Sequence, residues 1–277
     1  MTTTRSAVRK GPTRSIVVHG NDGNGSLLWL HRKAVKVSVI IPVFNEEGSI
    51  RTVLDEILGL DLRPIELEII VSDDGSADRT AELLDPYVEQ MEAVRVVTSE
   101  ANHGKGAAIR KGLAGATGEV VLIQDADTEY SPADYPALLA PFVDDSADVV
   151  YGSRFLERRW PEGMKLQNWL ANRFFTATAN LLYGGAITDE GTGYKLVRRE
   201  LLQDLGLETT GFDFCAEVTA KLLSRDVEIL EVPVSYRARG RTHGKKPGFL
   251  DGVRVLRTLI KYRLPGAGAE RSGISGE

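Results

Sequence analysis

Two carboxylates stand two positions apart in Asp125-Ala126-Asp127, directly after the apolar run Val120-Val121-Leu122-Ile123. Along an extended strand such a pair shares a face, and in a turn both side chains can reach one cation. Oxygen ligands of this kind suit Mg2+ or Mn2+, which keep further positions for water and phosphate oxygens. Glu129, two residues on, is a candidate third ligand, direct or through water. A bare D-x-D is equally what a polar strand end looks like, so the pair gains meaning from its neighbours.

Three neighbours stand in comparable places. Pro42-Val43-Phe44-Asn45-Glu46 closes a β-branched run, and Ser72-Asp73-Asp74-Gly75-Ser76-Ala77-Asp78 closes a second. A carboxylate there can accept from a base N–H or from ribose hydroxyls; the plainer alternative is a turn followed by a helix cap. Asn102-His103-Gly104-Lys105-Gly106 follows a third run, and glycines with a lysine before a helix make a candidate anion site. Neither the P-loop spacing nor a G-x-G-x-x-G after the first strand is present.

These segments need a scaffold that brings them to one edge. The apolar pattern predicts strands at 37–42, 68–72, 94–97, 120–123, 149–154 and 228–234. Helices are expected at 46–58, 78–90 with Asp78 as N-cap, 105–116, 165–183 and 213–224. Strand and helix alternate four times, the signature of a mostly parallel sheet covered by helices. Crossovers are then right-handed, and ligands gather at the carboxyl ends of the strands. A basic arm over 1–35, one α/β domain over 36–263 and a tail over 264–277 is the simplest division.

With 277 residues, 42% hydrophobic and 26% charged, the composition is that of an ordinary globular protein. One cysteine, Cys215, excludes an internal disulfide framework and a cysteine-based zinc site. No signal-peptide core follows the basic first residues, and the uncharged run between Arg173 and Asp189 is too short and polar to span a membrane. A soluble, cytoplasmic chain is the expectation. The net charge of −5 disfavours a nucleic-acid partner. That average hides a division: residues 236–263 carry nine Lys and Arg against one Asp, or +8, leaving −13 elsewhere.

The segments VSVIIPVFNEEGSI, EIIVSDDGSADRT, NHGKGAAIRKGLAGATGEVVLIQDAD, YGSRF and TDEGTGYKLVRRE, in this order, resemble glycosyltransferase family 2. More narrowly the chain resembles the dolichol-phosphate mannosyltransferase or polyprenyl-phosphate glycosyltransferase branch, over residues 37–263. The resemblance implies a GT-A fold: a Rossmann-like α/β domain with a nucleotide-binding half to about residue 130 and an acceptor half over 131–263. It also implies a nucleotide-sugar donor of GDP-mannose or UDP-glucose type, Mg2+ or Mn2+, and inversion at the anomeric carbon.

Carried over motif by motif, Pro42, Phe44, Glu46 and Asp73 or Asp74 hold base and ribose. Asp125 and Asp127 bind the metal, Ala126 lies against the donor, and Glu129 stands where related sequences often have Gln. Lys105 supports the donor or points outward from its helix. Arg154 faces an acceptor or sugar phosphate, or forms a surface salt bridge. Asp189 falls where the family places an acid near the reacting sugar; by sequence alone it could be a cap or turn, and Glu190 is its neighbouring substitute. A hydroxyl acceptor needs Asp189 as base, whereas an anionic lipid phosphate needs none. Arg239, Lys245 and Lys246 match a loop that closes over phosphates.

The helix behind that loop sets Phe249, Leu250, Val253, Leu256, Leu259 and Ile260 against Arg254, Arg257 and Lys261. It meets an anionic membrane surface or packs on the sheet. Transfer to a polyprenyl phosphate is the expected function, with peripheral contact at the inner face of the membrane or a membrane-protein partner. Transfer to a soluble hydroxyl acceptor is the alternative. The intact acids argue against a non-catalytic binder, and the Pro-Val-Phe-Asn-Glu-Glu loop argues against a nucleotidyltransferase.

Overall fold

The computed structural model describes residues 34–238 and 248–263. The arm up to residue 33, the tail from residue 264, and Arg239, Lys245 and Lys246 therefore lie outside the described residues.

Among the described residues, one seven-stranded sheet runs through the molecule. Its strands are β1 (Lys36–Val43), β2 (Glu66–Asp73), β3 (Val94–Thr98), β4 (Val120–Ile123), β5 (Val149–Ser153), β6 (Lys195–Arg198) and β7 (Leu230–Pro233). Their spatial order is β3-β2-β1-β4-β6-β5-β7. The four strands from β3 to β4 are mutually parallel, and β7 is parallel to β5. Only β6 runs against its neighbours β4 and β5. This reversal matters for function. The carboxyl ends of the other six strands open on one edge, and the start of β6 opens there too, carrying the Asp189 segment with it.

Alternation along the strands builds a core on each face. Val37, Val39 and Ile41 of β1, with Val120 and Leu122 of β4, meet α1 (Ile50–Leu58), α2 (Thr80–Gln90) and α4 (Tyr135–Val143). Val35 already packs into this cluster. Ile40, Ile70, Val121 and Ile123 meet α3 (Lys105–Gly115), α6 (Arg199–Asp204) and α7 (Phe214–Ser224) on the other face. A Cβ on Gly112 of α3 would lie 2.6 Å from Ile40 Cγ2, so glycine there lets the helix settle on the sheet. A third cluster, with Ala179, Ala216, Ala220 and Leu259, joins α5 (Leu166–Tyr183), α7 and α8 (Phe249–Lys261).

Several boundaries differ from the periodicity. The first helix begins at Ile50 rather than Glu46, because the Glu46 carbonyl accepts from Ser49 N and Ile50 N in a preceding turn. The second begins at Thr80, with Arg79 rather than Asp78 in the cap position. Asp78 still accepts from Thr80 N and Glu47 N, tying the helix start to the turn after β1. Strand β6 and helix α4 are not evident from the pattern: β6 has four residues, and α4 carries prolines and apolar residues around most of its circumference.

Candidate active site

At the β1 and β2 ends the acids serve the backbone. Asn45 adopts a left-handed conformation (φ 56°), donates its N–H to Ser76 Oγ at 3.0 Å and accepts from Ala77 N at 2.8 Å. Glu46 is buried, its N–H bonded to Thr80 Oγ1 at 2.9 Å and its carboxylate to Ser49 Oγ at 2.8 Å. Asp73 accepts from Ser76 N and Oγ, at 2.9 and 2.6 Å. Asp74 accepts from His103 N at 3.0 Å and Gly104 N at 2.6 Å, which clamps the loop before α3. Pro42 and Phe44 are half-buried along this rim.

Gly104 sits at φ 104°, and a Cβ there would lie 2.4 Å from Thr210 O, so only glycine fits this approach. The close contact fixes the first turn of α3, and Lys105 extends from it to ion-pair with Asp125 Oδ1. Burial opposes the ammonium charge, but Asp125, with Cys215 and Asp127 nearby, raises the Lys105 pKa above its ordinary value. Lys105 thus points into the site, not outward. The other Asp125 oxygen backs against Gly193, where a Cβ would stand 2.6 Å from it. Gly193 N–H also donates to Tyr130 Oη at 2.9 Å. Beneath, buried Gln124 accepts from Tyr135 and Tyr194 hydroxyls, both at 2.9 Å, and donates to Asp125 O. Neither Gln124 nor this tyrosine pair is singled out by sequence motifs.

Asp127 accepts from Glu129 N at 3.1 Å. Glu129 itself accepts from Tyr236 Oη at 2.8 Å. Among the described residues no three acids, cysteines or histidines converge on a metal position. Asp125 and Asp127 nevertheless fit Mg2+ or Mn2+, which needs only one or two carboxylates beside substrate phosphates. The Lys105 ammonium already ion-pairs with Asp125, placing a positive charge at one of the two acids.

The part of this edge after β5 and before β6 is built differently. Arg154, immediately after β5, donates to Asp189 from its backbone N at 3.0 Å and from Nε and Nη2, each at 2.7 Å. Nη2 also reaches Asn172 Oδ1 on α5 at 3.0 Å. The guanidinium carbon lies 5.3 Å from the Tyr236 ring centroid and 5.6 Å from that of Phe155. Arg154 is thus no surface salt bridge. Beside it, Glu190 is buried, its Oε1 has no hydrogen-bond partner, and burial raises its pKa. Lys195 is buried too, donating to Glu190 O at 2.6 Å with its ammonium 4.0 Å from the Tyr151 ring centroid. Cys215, half-buried 3.8 Å from Thr192 O, has its thiol pKa raised by burial and is no activated nucleophile.

Residues 38–206 match the model of glycosyl transferase family 2. The "Dolichol-phosphate mannosyltransferase" of Pyrococcus furiosus is 28% identical over 82% of this chain and 64% of its own length. The chain thus spans under two thirds of that relative. The "Dolichyl-phosphate hexose transferase" of Haloferax volcanii is 32% identical, with 82% of this chain and 94% of that one covered. Glucosyl-3-phosphoglycerate synthase from Mycobacterium tuberculosis, crystallised with Mn2+, uridine-diphosphate and glucosyl-3-phosphoglycerate, superposes with a TM-score of 0.66 at 25% identity. That match covers 95% of this chain and 90% of that one. The fold is GT-A, with a mostly parallel central sheet.

Proposed function

The chain belongs to glycosyl transferase family 2, and from that premise we propose that it moves a hexose from a nucleotide sugar to a polyprenyl phosphate, with inversion. The donor is of GDP-mannose or UDP-glucose type. Pro42, Phe44 and Glu46 line the rim for base and ribose, above loops that Asp73 and Asp74 hold in place. Asp125 and Asp127 are the residues that would hold Mg2+ or Mn2+, with Ala126 against the donor and Glu129 steadying the turn. When bound, the ion offsets charge on the leaving diphosphate. Lys105 presents its ammonium, and the start of α3, to the same phosphates. Arg239, Lys245 and Lys246 are the cations proposed to close over them.

The state of Asp189 carries the choice of acceptor. Its two oxygens accept three hydrogen bonds from Arg154. A carboxylate so occupied orients the sugar and stabilises positive charge at the anomeric carbon better than it collects a proton. A phosphate monoester oxygen is already anionic and needs no base, and buried Arg154 gives it a cation to approach. A hydroxyl acceptor is the second reading, and one observation favours it: Glu190 Oε1 is a buried carboxylate oxygen without a partner beside the pair. Under that reading Glu190, rather than Asp189, is the base.

The surface fits a lipid acceptor. Leu166, Leu170 and Phe174 form an exposed i, i+4 stripe on α5, the helix whose Asn172 touches Arg154. On α8, Leu259 turns into the core while Phe249, Leu250 and Val253 stay exposed beside Arg254 and Arg257. Among the described residues no helix is long and apolar enough to cross a membrane. Peripheral docking on an anionic bilayer is the arrangement these stripes support.

The test is a panel of nucleotide sugars with Mg2+ or Mn2+, with and without polyprenyl phosphate, reading released nucleoside diphosphate and lipid-linked hexose. Lipid-linked product is expected, together with co-sedimentation on anionic but not neutral vesicles. No lipid-linked product with any nucleotide sugar sinks the acceptor assignment.

A further inference from the structure

Asp189 lies in a segment with no regular structure between α5 and β6, yet it is fully buried. Such a segment must be held by side chains, because its backbone has no ladder to join. Asn180 on α5 holds Ile187 from both sides, donating to its carbonyl at 2.8 Å and accepting from its N–H at 3.1 Å. Thr188 Oγ1 pairs with Ser153 Oγ at 2.6 Å, and Thr176 Oγ1 accepts from Glu190 N at 3.0 Å. These clamps flank Asp189. One acid grips its backbone: Glu231 on β7 accepts from Thr188 N at 2.8 and 2.9 Å and from Asp189 N at 3.1 Å.

We infer that Glu231 is the positioning residue of the reacting centre, setting the Arg154–Asp189 pair through the backbone N–H groups of Thr188 and Asp189. The inference rests on the glycosyl-transfer reading above, not on the choice of acceptor. Register supports it. Glu231 pairs with Tyr151 of β5, and two residues further Pro233 pairs with Ser153, the residue before Arg154. One strand therefore grips Asp189 through a side chain and lies alongside the strand that delivers Arg154. The two partners of the ion pair are referenced to a common element, as a geometry accurate to a fraction of an ångström requires.

The location is a demanding one for an acid. Glu231 is fully buried, and burial, with the nearby Asp189 charge, lifts its pKa to about 7 against the opposing pull of the Thr188 and Asp189 hydrogen bonds. A residue needed only to fill space beside β5 could be apolar. Glu231 does not touch the donor edge: Lys105, Asp125 and Asp127 are absent from its hydrogen bonds.

The experiment compares Glu231→Met, which keeps length but has no acceptor oxygen, with Glu231→Gln, which keeps one. Each is made in the natural chain and in Asp189→Asn, and nucleoside diphosphate release is followed. This readout reports turnover with either acceptor, so failure to glycosylate a lipid phosphate overturns the acceptor assignment and leaves this test intact. Misplacing a reacting group by about 1 Å costs about a hundredfold, so Glu231→Met should lower kcat by about that factor. Donor KM should stay within about twofold, because uniform binding is untouched.

Glu231→Gln, the variant surest to fold, should lose about threefold, and both losses should vanish when Asp189 is already Asn, as expected of residues acting in one chain. A purely structural role predicts the opposite: losses that multiply with Asp189→Asn, with donor KM rising as kcat falls. That result, or a Glu231→Gln enzyme identical to the natural one, overturns the inference.

Discussion

The two ends of this active-site edge handle charge in opposite ways. At the end proposed to hold the donor, the Lys105 and Asp125 side chains each keep 20% of their surface exposed, and the pair bridges the first turn of α3 and the segment after β4. At the end proposed to face the acceptor, Arg154 keeps 7% and Asp189 none, and the ions are fastened by backbone and side-chain hydrogen bonds. Exposure lets a pair exchange partners cheaply, whereas a buried pair cannot be separated without leaving a bare charge. Under the proposed function, the donor side suits charges that arrive and leave with each turnover, a metal and a diphosphate, and the acceptor side holds one arrangement throughout. The largest effect should come from removing the exchangeable acid. Asp125→Ala should lower kcat/KM by about a thousandfold, as loss of a group stabilising leaving-group charge does. It should also abolish Mn2+ binding followed by electron paramagnetic resonance, with little change in melting temperature. Retained turnover would show that Asp125 is not the metal's ligand.

Breaking the locked side should register as stability. Arg154→Ala leaves the Asp189 charge buried beside Glu190 and Glu231, with the guanidinium gone. Removing one partner of a buried pair typically costs about 3–5 kcal/mol, and denaturant unfolding should show a loss near the low end, since Glu231 can relax with the segment. A variant as stable as the natural protein would erase the contrast between the two ends.

A pH titration sharpens the contrast further. Glu231 has its pKa raised from 4.5 to about 7 in the folded chain, chiefly by burial. Between those values the folded state holds a proton that the unfolded chain has released. Its contribution is therefore fully present below about pH 4.5 and is lost as pH rises through 7. From pH 5 to pH 7.5 the natural chain should lose about 2 kcal/mol relative to Glu231→Gln, measured by urea unfolding at both values. Parallel pH curves would contradict the raised value.

What could be read from sequence follows the same division. The donor side was legible because its residues are local: each acid or lysine stands directly after an apolar strand or before a helix, as Asp73, Lys105 and Asp125 do. Even there, roles differed in kind, since Asp74 spends its carboxylate on the loop amides of His103 and Gly104. On the acceptor side, Arg154 and Asp189 are 35 residues apart in sequence and meet through the antiparallel β6, which the pattern of apolar residues did not disclose. Glu231 reads as an ordinary polar alternation between Leu230 and Val232. One signal was available: in a sheet covered on both faces, an acid in a strand is buried and must have partners. Identifying them needed the tertiary fold, as did Gln124 and Asn172.

The smallest effect separates exchangeable from locked most directly. If Lys105 serves as the internal counter-cation of Asp125, then a metal ion entering without nucleotide competes with its ammonium. Lys105→Met removes that competitor while keeping the length of the side chain. The pair is partly screened by solvent, so the gain is modest: Mn2+ should bind the nucleotide-free variant about tenfold more tightly at low salt, or about 1.4 kcal/mol. The advantage should shrink as ionic strength rises. Nucleoside diphosphate should meanwhile bind more weakly, because the ammonium that leaves Asp125 is the one that would meet its phosphates. Calorimetry with Mn2+ alone and then with nucleoside diphosphate resolves the two opposing shifts. An unchanged Mn2+ affinity would mean that Lys105 and Asp125 are as fixed as Arg154 and Asp189, and the donor side would lose its distinction.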